Sequence, residues 1–195
     1  MRYLLILLLL LISGYATAEN TYYIPENNEI KFDIIRKNKI IGKHVITFNK
    51  NGERLTINID VNIKVKFGFI TIYKYSHQNT EEWENGQLYN ISTNSITNSN
   101  KKYSLQGKQN NNKFEFVGID GKKDTEKDII PISYWNKSLL NKNKILDTQK
   151  GIIRNIIIEF LNNEEIPFKE KNVSTKKYKL LISTKHFSDE KPIPE

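Results

Sequence analysis

The sequence predicts a mainly β fold, an antiparallel meander curled into a half-barrel or barrel with one short helix inserted. Apolar residues occupy every second position from Leu55 to Phe69, and polar residues such as Asn58 and Lys64 lie between them. A period of two gives a long strand one apolar face and one polar face. Asn-Gly at 51–52 and at 85–86 is typical of tight hairpin turns, so neighbouring strands are expected to be antiparallel.

The strands predicted before residue 118 follow one another with short polar turns. They cover residues 30–34, 40–48, 55–69, 70–83, 88–97, 103–108 and 113–117. Residues 118–128 are rich in Lys and Asp and are expected to form a charged loop.

The apolar period changes after Pro131. Ile132, Trp135 and Leu139, with Leu140, have the spacing of one face of a short helix. An apolar strand is predicted over 152–160, Pro167 is expected to interrupt the chain, and a last strand is predicted over 178–183.

The N-terminus has the pattern of a cleavable secretory signal peptide. A single charge, Arg2, precedes an unbroken apolar run at 4–12, and Ala16, Thr17 and Ala18 form the expected cleavage site. The run is shorter than the roughly 20 residues that span a bilayer. We therefore expect an exported protein, periplasmic in a two-membrane bacterium or secreted, and not integral to the membrane.

The predicted organisation is a signal peptide at 1–18, a lead-in at 19–29, one β-rich domain at 30–187 and a polar tail at 188–195. The chain has 195 residues and a net charge of +8, one unit lower once Arg2 is removed. The basic residues are dispersed and the protein is exported, so no nucleic-acid partner is expected. With no cysteine and three histidines, no metal or other cofactor is expected.

Five aromatic residues are the candidate ligand-binding residues. Trp83, Tyr134 and Trp135, joined by Tyr73 and Tyr75, either fill the core or line a cavity for an apolar ligand. A second candidate group, His77, Glu81 and Glu82, contains acid–base side chains. We expect that group to lie on the solvent-facing side of its strand, so no catalytic residue is assigned.

Several short motifs carry a family resemblance across residues 30–181. They are a Gly at 42, the stretch TEEWENG at 80–86, Tyr-Trp-Asn at 134–136 and Leu-Asp-x-x-x-Gly at 146–151. The chain resembles a family of exported bacterial β-rich domains of unknown function. The resemblance implies that the signature residues are Gly42, Gly86, Asn136, Leu146, Asp147 and Gly151, and it implies no activity.

The chain departs from that family near its end. Family members continue after the equivalent of Tyr178 into a final strand pair with a Trp-Tyr pattern, whereas this sequence ends at Glu195 without it. Relative to the family the chain is expected to be truncated or to lack its closing strands. Either case leaves a sheet edge or groove open.

These observations favour a non-enzymatic binding module for an apolar or lipid-like ligand. A structural or assembly factor that pairs with another envelope protein is the alternative, and a hydrolase of an envelope polymer is the third hypothesis.

Overall fold

The computed structural model describes residues 23–98, 100–168 and 170–183. The predicted signal peptide, its cleavage site and the polar tail lie outside these residues. Within the described ranges there is no α-helix, and no helix is long and apolar enough to cross a membrane.

Eight strands form the larger sheet. They are β1 (Glu29–Arg36), β2 (Lys39–Asn51), β3 (Arg54–Phe67), β4 (Ile70–Glu84), β5 (Gln87–Ile96), β6 (Lys102–Asn110), β7 (Lys113–Gly118) and β8 (Gly121–Glu126). Each strand pairs antiparallel with the next, so the order in the sheet is the order in the chain. In the first half of β3, from Leu55 to Ile59, buried side chains alternate with more exposed ones.

Three strands form the smaller sheet. They are β9 (Lys144–Asp147), β10 (Ile152–Phe168) and β11 (Lys171–Ile182), in the order β11–β10–β9. β10 pairs with β9 only over Ile152 to Asn155 and with β11 from Ile156 onward. The β10–β11 hairpin therefore extends well past β9.

The antiparallel meander is confirmed, but the closed-barrel alternative is wrong. The described part of the sheet ends in β1 on one side and β8 on the other, and these two strands do not pair. The apolar face is covered by the chain from 129 to 156 instead, which contributes Ile130, Leu146 and Ile156 to the same core as Ile57 and Leu105. Since another segment buries that face, the sheet does not have to close on itself.

The predicted helix after Pro131 is also wrong. The structure has only a short 3-10 turn at Lys137–Asn141. Asn136 lies in an extended conformation before it, and its Oδ1 accepts a hydrogen bond from the Ser138 amide. Tyr134 has a left-handed φ of 64°, which interrupts a helix. Ile132 and Trp135 reach the core from this irregular chain, so their helical spacing does not require a helix.

Other boundaries differ from the prediction as well: β9 was not predicted, and β11 begins at Lys171 rather than at 178. Residues 118–128 contain the edge strand β8 and are not only a loop. The sequence did not predict this strand because its side chains are exposed on both faces and show no apolar alternation. Pro167 lies inside β10, near the tip of the hairpin, opposite Asn172. Beyond Asn155, β10 pairs on one edge only among the described residues, and proline is tolerated in such a strand.

Candidate functional site

A cavity of about 340 Å³ lies between the larger sheet and the chain that covers it. β2, β3 and β4 form one wall, and residues 132–134, Ile145, residues 147–149, Arg154 and Ile182 form the other. The side chains from the sheet are His44, Ile59, Val61, Tyr75, His77 and Asn79. The lining therefore combines apolar and polar groups.

β4 presents its polar residues to the interior of the protein. His77, Asn79, Glu81 and Trp83 alternate along the strand, and all four are buried. The expectation that His77 and Glu81 lie on the solvent face is therefore wrong. The covering chain begins at residue 129, 46 or more residues after these four, so the period of β4 could not show which of its faces is covered.

Glu81 is the centre of a buried hydrogen-bond network. Its Oε2 accepts the indole N–H groups of Trp83 and Trp135, each at 3.0 Å, and its Oε1 accepts the Asn79 amide at 2.8 Å. Burial raises the pKa of the Glu81 carboxyl, while the donors, first that of Trp135, oppose the rise. The carboxyl ties the covering segment to β4. Glu82 lies on the opposite face of the strand.

His77 connects the sheet to the covering chain within the cavity wall. Its Nδ1 lies 2.7 Å from Ser95 Oγ, and its Nε2 lies 3.4 Å from Thr148 Oγ1. Burial lowers the pKa of His77 and also that of His44. Both imidazoles are therefore uncharged at neutral pH.

Two polar atoms of the cavity wall have no hydrogen-bond partner within the described part of the chain. They are Asn79 Oδ1 and His44 Nε2. Asn79 is only 3% exposed, so bulk water does not solvate its amide freely. An unpaired buried acceptor costs about 1–3 kcal/mol, which a donor placed in the cavity would recover.

Asp147 organises the far wall. Its Oδ1 accepts the backbone N–H groups of Gln149 at 2.9 Å and Lys150 at 3.1 Å, and its Oδ2 accepts Arg154 Nε at 2.7 Å. The Asp147 and Arg154 side chains are each 14% exposed. They are the only charged residues of the described cavity lining and neutralise each other.

Replacing Asp147 with Asn should lower the free energy of unfolding by about 1–2 kcal/mol, because the amide still caps the turn but loses the charged bond to Arg154. Urea unfolding followed by tryptophan emission measures the change. Glu164→Gln is the matched control: it breaks an exposed pair with Lys177 and should cost less than about 1 kcal/mol. Equal effects of the two substitutions would contradict this role of Asp147.

The predicted aromatic residues separate into different environments. Trp83 is 1% exposed and belongs to the core, where it meets Trp135 edge-to-face with ring centroids 5.3 Å apart. Tyr75 and Tyr134 line the 340 Å³ cavity. Trp135 and Tyr134 also line a second cavity of about 410 Å³, with Leu139, Leu140, Ile158, Tyr178 and Leu180 among its other residues. Tyr73 is 40% exposed and lines neither.

The residues that the resemblance implies as signature residues lie mostly at turns and close contacts. Asn85 and Gly86, both with positive φ, form the two-residue turn between β4 and β5, and Gly42 on β2 packs tightly against the backbone of β3 at Asn62 and Ile63. The second group comes from the covering chain. It comprises Asn136, which caps the 3-10 turn, Leu146, which is fully buried in the core, Asp147 and Gly151.

Residues of the cavity wall that were missed from the sequence include His44, Asn79 and Arg154. A signal for Asn79 was present, since it lies between His77 and the core residue Trp83 and shares their period of two. Nothing local indicated His44, which joins the cavity because it pairs with Val61 across β2 and β3.

The described residues contain no group of three or more His, Cys, Asp or Glu side chains that could hold a metal ion. The structure is therefore an antiparallel β domain in which the chain from 129 to 156 covers the open sheet, with a cavity of mixed polarity between them.

Residues 32–190 match the family model described as a domain of unknown function (DUF6134), and the chain belongs to that family. The comparisons with curated proteins and with solved structures found no match.

Proposed function

We propose that this chain is an exported, non-enzymatic binding domain that holds a small, uncharged, amphiphilic ligand in the 340 Å³ cavity. The observation that carries the proposal is Asn79, whose Oδ1 has no hydrogen-bond partner among the described residues although the residue is 3% exposed and lines that cavity. A hydroxyl or N–H group of a ligand would satisfy it.

The character of the lining supports an amphiphilic ligand. Ile59, Val61 and Ile145 offer an apolar surface next to the polar group of Asn79. The volume lies near the lower end of the range of about 300–1,000 Å³ typical of small-molecule sites, which favours a compact molecule over a whole phospholipid.

The charge of the lining supports an uncharged ligand. Asp147 and Arg154 satisfy each other, and the lowered pKa of His77 keeps that ring neutral at neutral pH. A charged ligand group would therefore lose its hydration without gaining an opposite charge.

Native mass spectrometry of the protein recovered from its own cells, followed by organic extraction, tests the proposal. We expect a bound small molecule in the wild type and its loss from Val61→Phe, whose larger side chain occupies part of the cavity. Val45→Phe is the matched control, since Val45 lies on the same sheet but outside the cavity, and it should retain the molecule. Wild-type protein without any bound molecule, and unable to take up the neutral fluorescent probe N-phenyl-naphthylamine, would overturn the proposal.

Export itself is part of the proposal, with the periplasm as the first location and full secretion as the alternative. Its support is the apolar run at 4–12 followed by Ala16, Thr17 and Ala18. N-terminal sequencing of protein from fractionated cells should begin at Glu19; a chain that still begins at Met1 in the cytoplasm would contradict it.

The alternative function, an assembly factor that pairs with an envelope protein, has one observation in its favour. β10 has no neighbour on one edge beyond Asn155 within the described chain, and an open edge can accept a strand of a partner. Crosslinking in cells from a position on that edge should then capture one reproducible partner, and an uncrosslinked monomer would argue against it.

The hydrolase hypothesis has the least support. Glu82 lies on the opposite face of β4 from Glu81, and Glu81 is occupied by the two indole N–H groups. These carboxyl groups do not converge on one cleft.

A further inference from the structure

The β3–β4 hairpin ends in an exposed apolar tip that the cavity does not use. Phe67 is 77% exposed, Phe69 is fully exposed and Ile70 is 68% exposed, and Ile72 follows at 52%. No side chain between residues 60 and 76 is buried in the described structure. The tip is therefore a compact apolar surface that projects from the core, which is typical of a contact with a partner or a membrane.

Lysines surround the tip without an acidic residue. Residues 64–74 contain Lys64, Lys66 and Lys74 and no Asp or Glu. Lys64 and Lys74 are directly opposite each other across the hairpin, where like charges repel. All three lysines are exposed, and none forms an ion pair with another described residue; the nine pairs found there use other cations.

The second long hairpin provides the contrast. Its tip also exposes Ile166 and Phe168, but Glu164 and Glu165 precede them. Lys177 of β11 pairs with Glu164. Apolar exposure is thus common to both hairpins, whereas the uncompensated positive charge belongs to the β3–β4 tip.

We propose that the β3–β4 tip inserts into the surface of an anionic lipid bilayer, with Phe67, Phe69 and Ile70 among the acyl chains and the three lysines at the lipid phosphates. Such a bilayer has an apolar interior directly beneath a layer of negative charge. The apolar residues of the tip match the interior, and the lysines behind them match the charged layer. Lysine stems are long enough to keep the ammonium groups at the phosphates while the tip enters.

A label at the tip tests the insertion directly. Because the chain has no cysteine, Phe69→Cys accepts a single environment-sensitive fluorophore, and Ile166→Cys places the same label on the other hairpin. With vesicles of mixed phosphatidylglycerol and phosphatidylcholine, we expect a blue shift and quenching by lipid-phase quenchers at position 69 and neither at position 166. This local readout is independent of any membrane affinity of the N-terminal apolar run.

Removing charge measures the lysine contribution. A basic residue near an anionic surface contributes about fivefold to binding, so Lys64→Gln/Lys66→Gln/Lys74→Gln should weaken vesicle binding on the order of a hundredfold. Lys171→Gln/Lys176→Gln/Lys177→Gln removes the same charge from exposed positions of β11 and should leave the tip signal nearly unchanged. All six positions are exposed, and circular dichroism confirms that both variants fold.

Three results would overturn the proposal: no change at position 69 with anionic vesicles, equal changes at positions 69 and 166, or equal binding to pure phosphatidylcholine. A shift at position 69 that appears without vesicles and grows with protein concentration would also overturn it, and would identify a second copy of the chain as the occupant. Because the tip residues do not line the cavity, each outcome leaves the ligand proposal to its own test.

Discussion

Replacing Glu81 with Ala should lower the free energy of unfolding by about 3–5 kcal/mol, the largest effect expected from a single side chain here. The substitution leaves the indole N–H groups of Trp83 and Trp135 without their acceptor in a fully buried site, and it opens a void beside them. Urea unfolding measures the loss. Both tryptophans of the chain belong to this network, so their emission reports directly on it.

Glu81→Gln is the matched variant and should cost no more than about 1 kcal/mol. The Gln carbonyl still accepts the indole groups, and the Asn79 amide can rotate to present its otherwise unpaired Oδ1 to the new amide. If Glu81→Ala unfolds as easily as Glu81→Gln, the network does not stabilise the fold as described.

Comparison of the wild type with Glu81→Gln gives a prediction about pH. Burial raises the pKa of Glu81 above its ordinary value of 4.5. Between these two pKa values the folded state holds a proton that the unfolded state has already released. The contribution of Glu81 to stability is therefore complete below its ordinary pKa of 4.5, and it declines as the pH rises through the raised pKa of the folded state. The stability of the wild type should fall relative to that of Glu81→Gln over this interval. Parallel stability curves would contradict it.

Replacing Gly151 with Ala should destabilise the fold by about 2–5 kcal/mol. Gly151 has a φ of +63°, which costs an L-residue about 1–2 kcal/mol, and a Cβ there would lie 2.7 Å from Gly118 Cα and 3.1 Å from Leu105 Cδ1. The covering chain meets the larger sheet at this point, where the Ile119 amide donates to the Lys150 carbonyl. Chemical unfolding measures the effect.

Gly52→Ala separates the two causes. Gly52 has nearly the same φ, +61°, but a Cβ there has no neighbour within 4 Å. It should cost only the conformational contribution, about 1–2 kcal/mol. If the two alanine variants are equally unstable, the close approach of Gly151 to Gly118 contributes nothing.

Much of the larger sheet could be predicted from local pattern. Strand β3 was visible because one of its faces is buried along half its length, and the turn at Asn85 and Gly86 was visible because left-handed φ values favour those residues. β8 was missed because both its faces are exposed, which removes the alternation on which such predictions depend.

The candidate site was harder to predict because it is made by contacts distant in sequence. Trp83 and Trp135 were grouped from the sequence as candidate ligand-binding residues, but the carboxyl that joins them was expected on the solvent face. Polar residues alternate along a strand with a period of two whether they face a covering segment or water. Only the position of residues 131–148 distinguishes them.

By itself the sequence determined the antiparallel meander, since alternation and turn chemistry act between neighbours in the chain. It also led to the expectation of export, but it placed Phe67 and Phe69 on the apolar face of a strand over 55–69 and did not indicate the exposed tip. Only the tertiary structure decided that the sheet stays open, that the chain after Ile129 covers it, and that His77, Asn79 and Glu81 face inward. The physical reason is that burial of a sheet face depends on what packs against it, and here the packing chain follows β8.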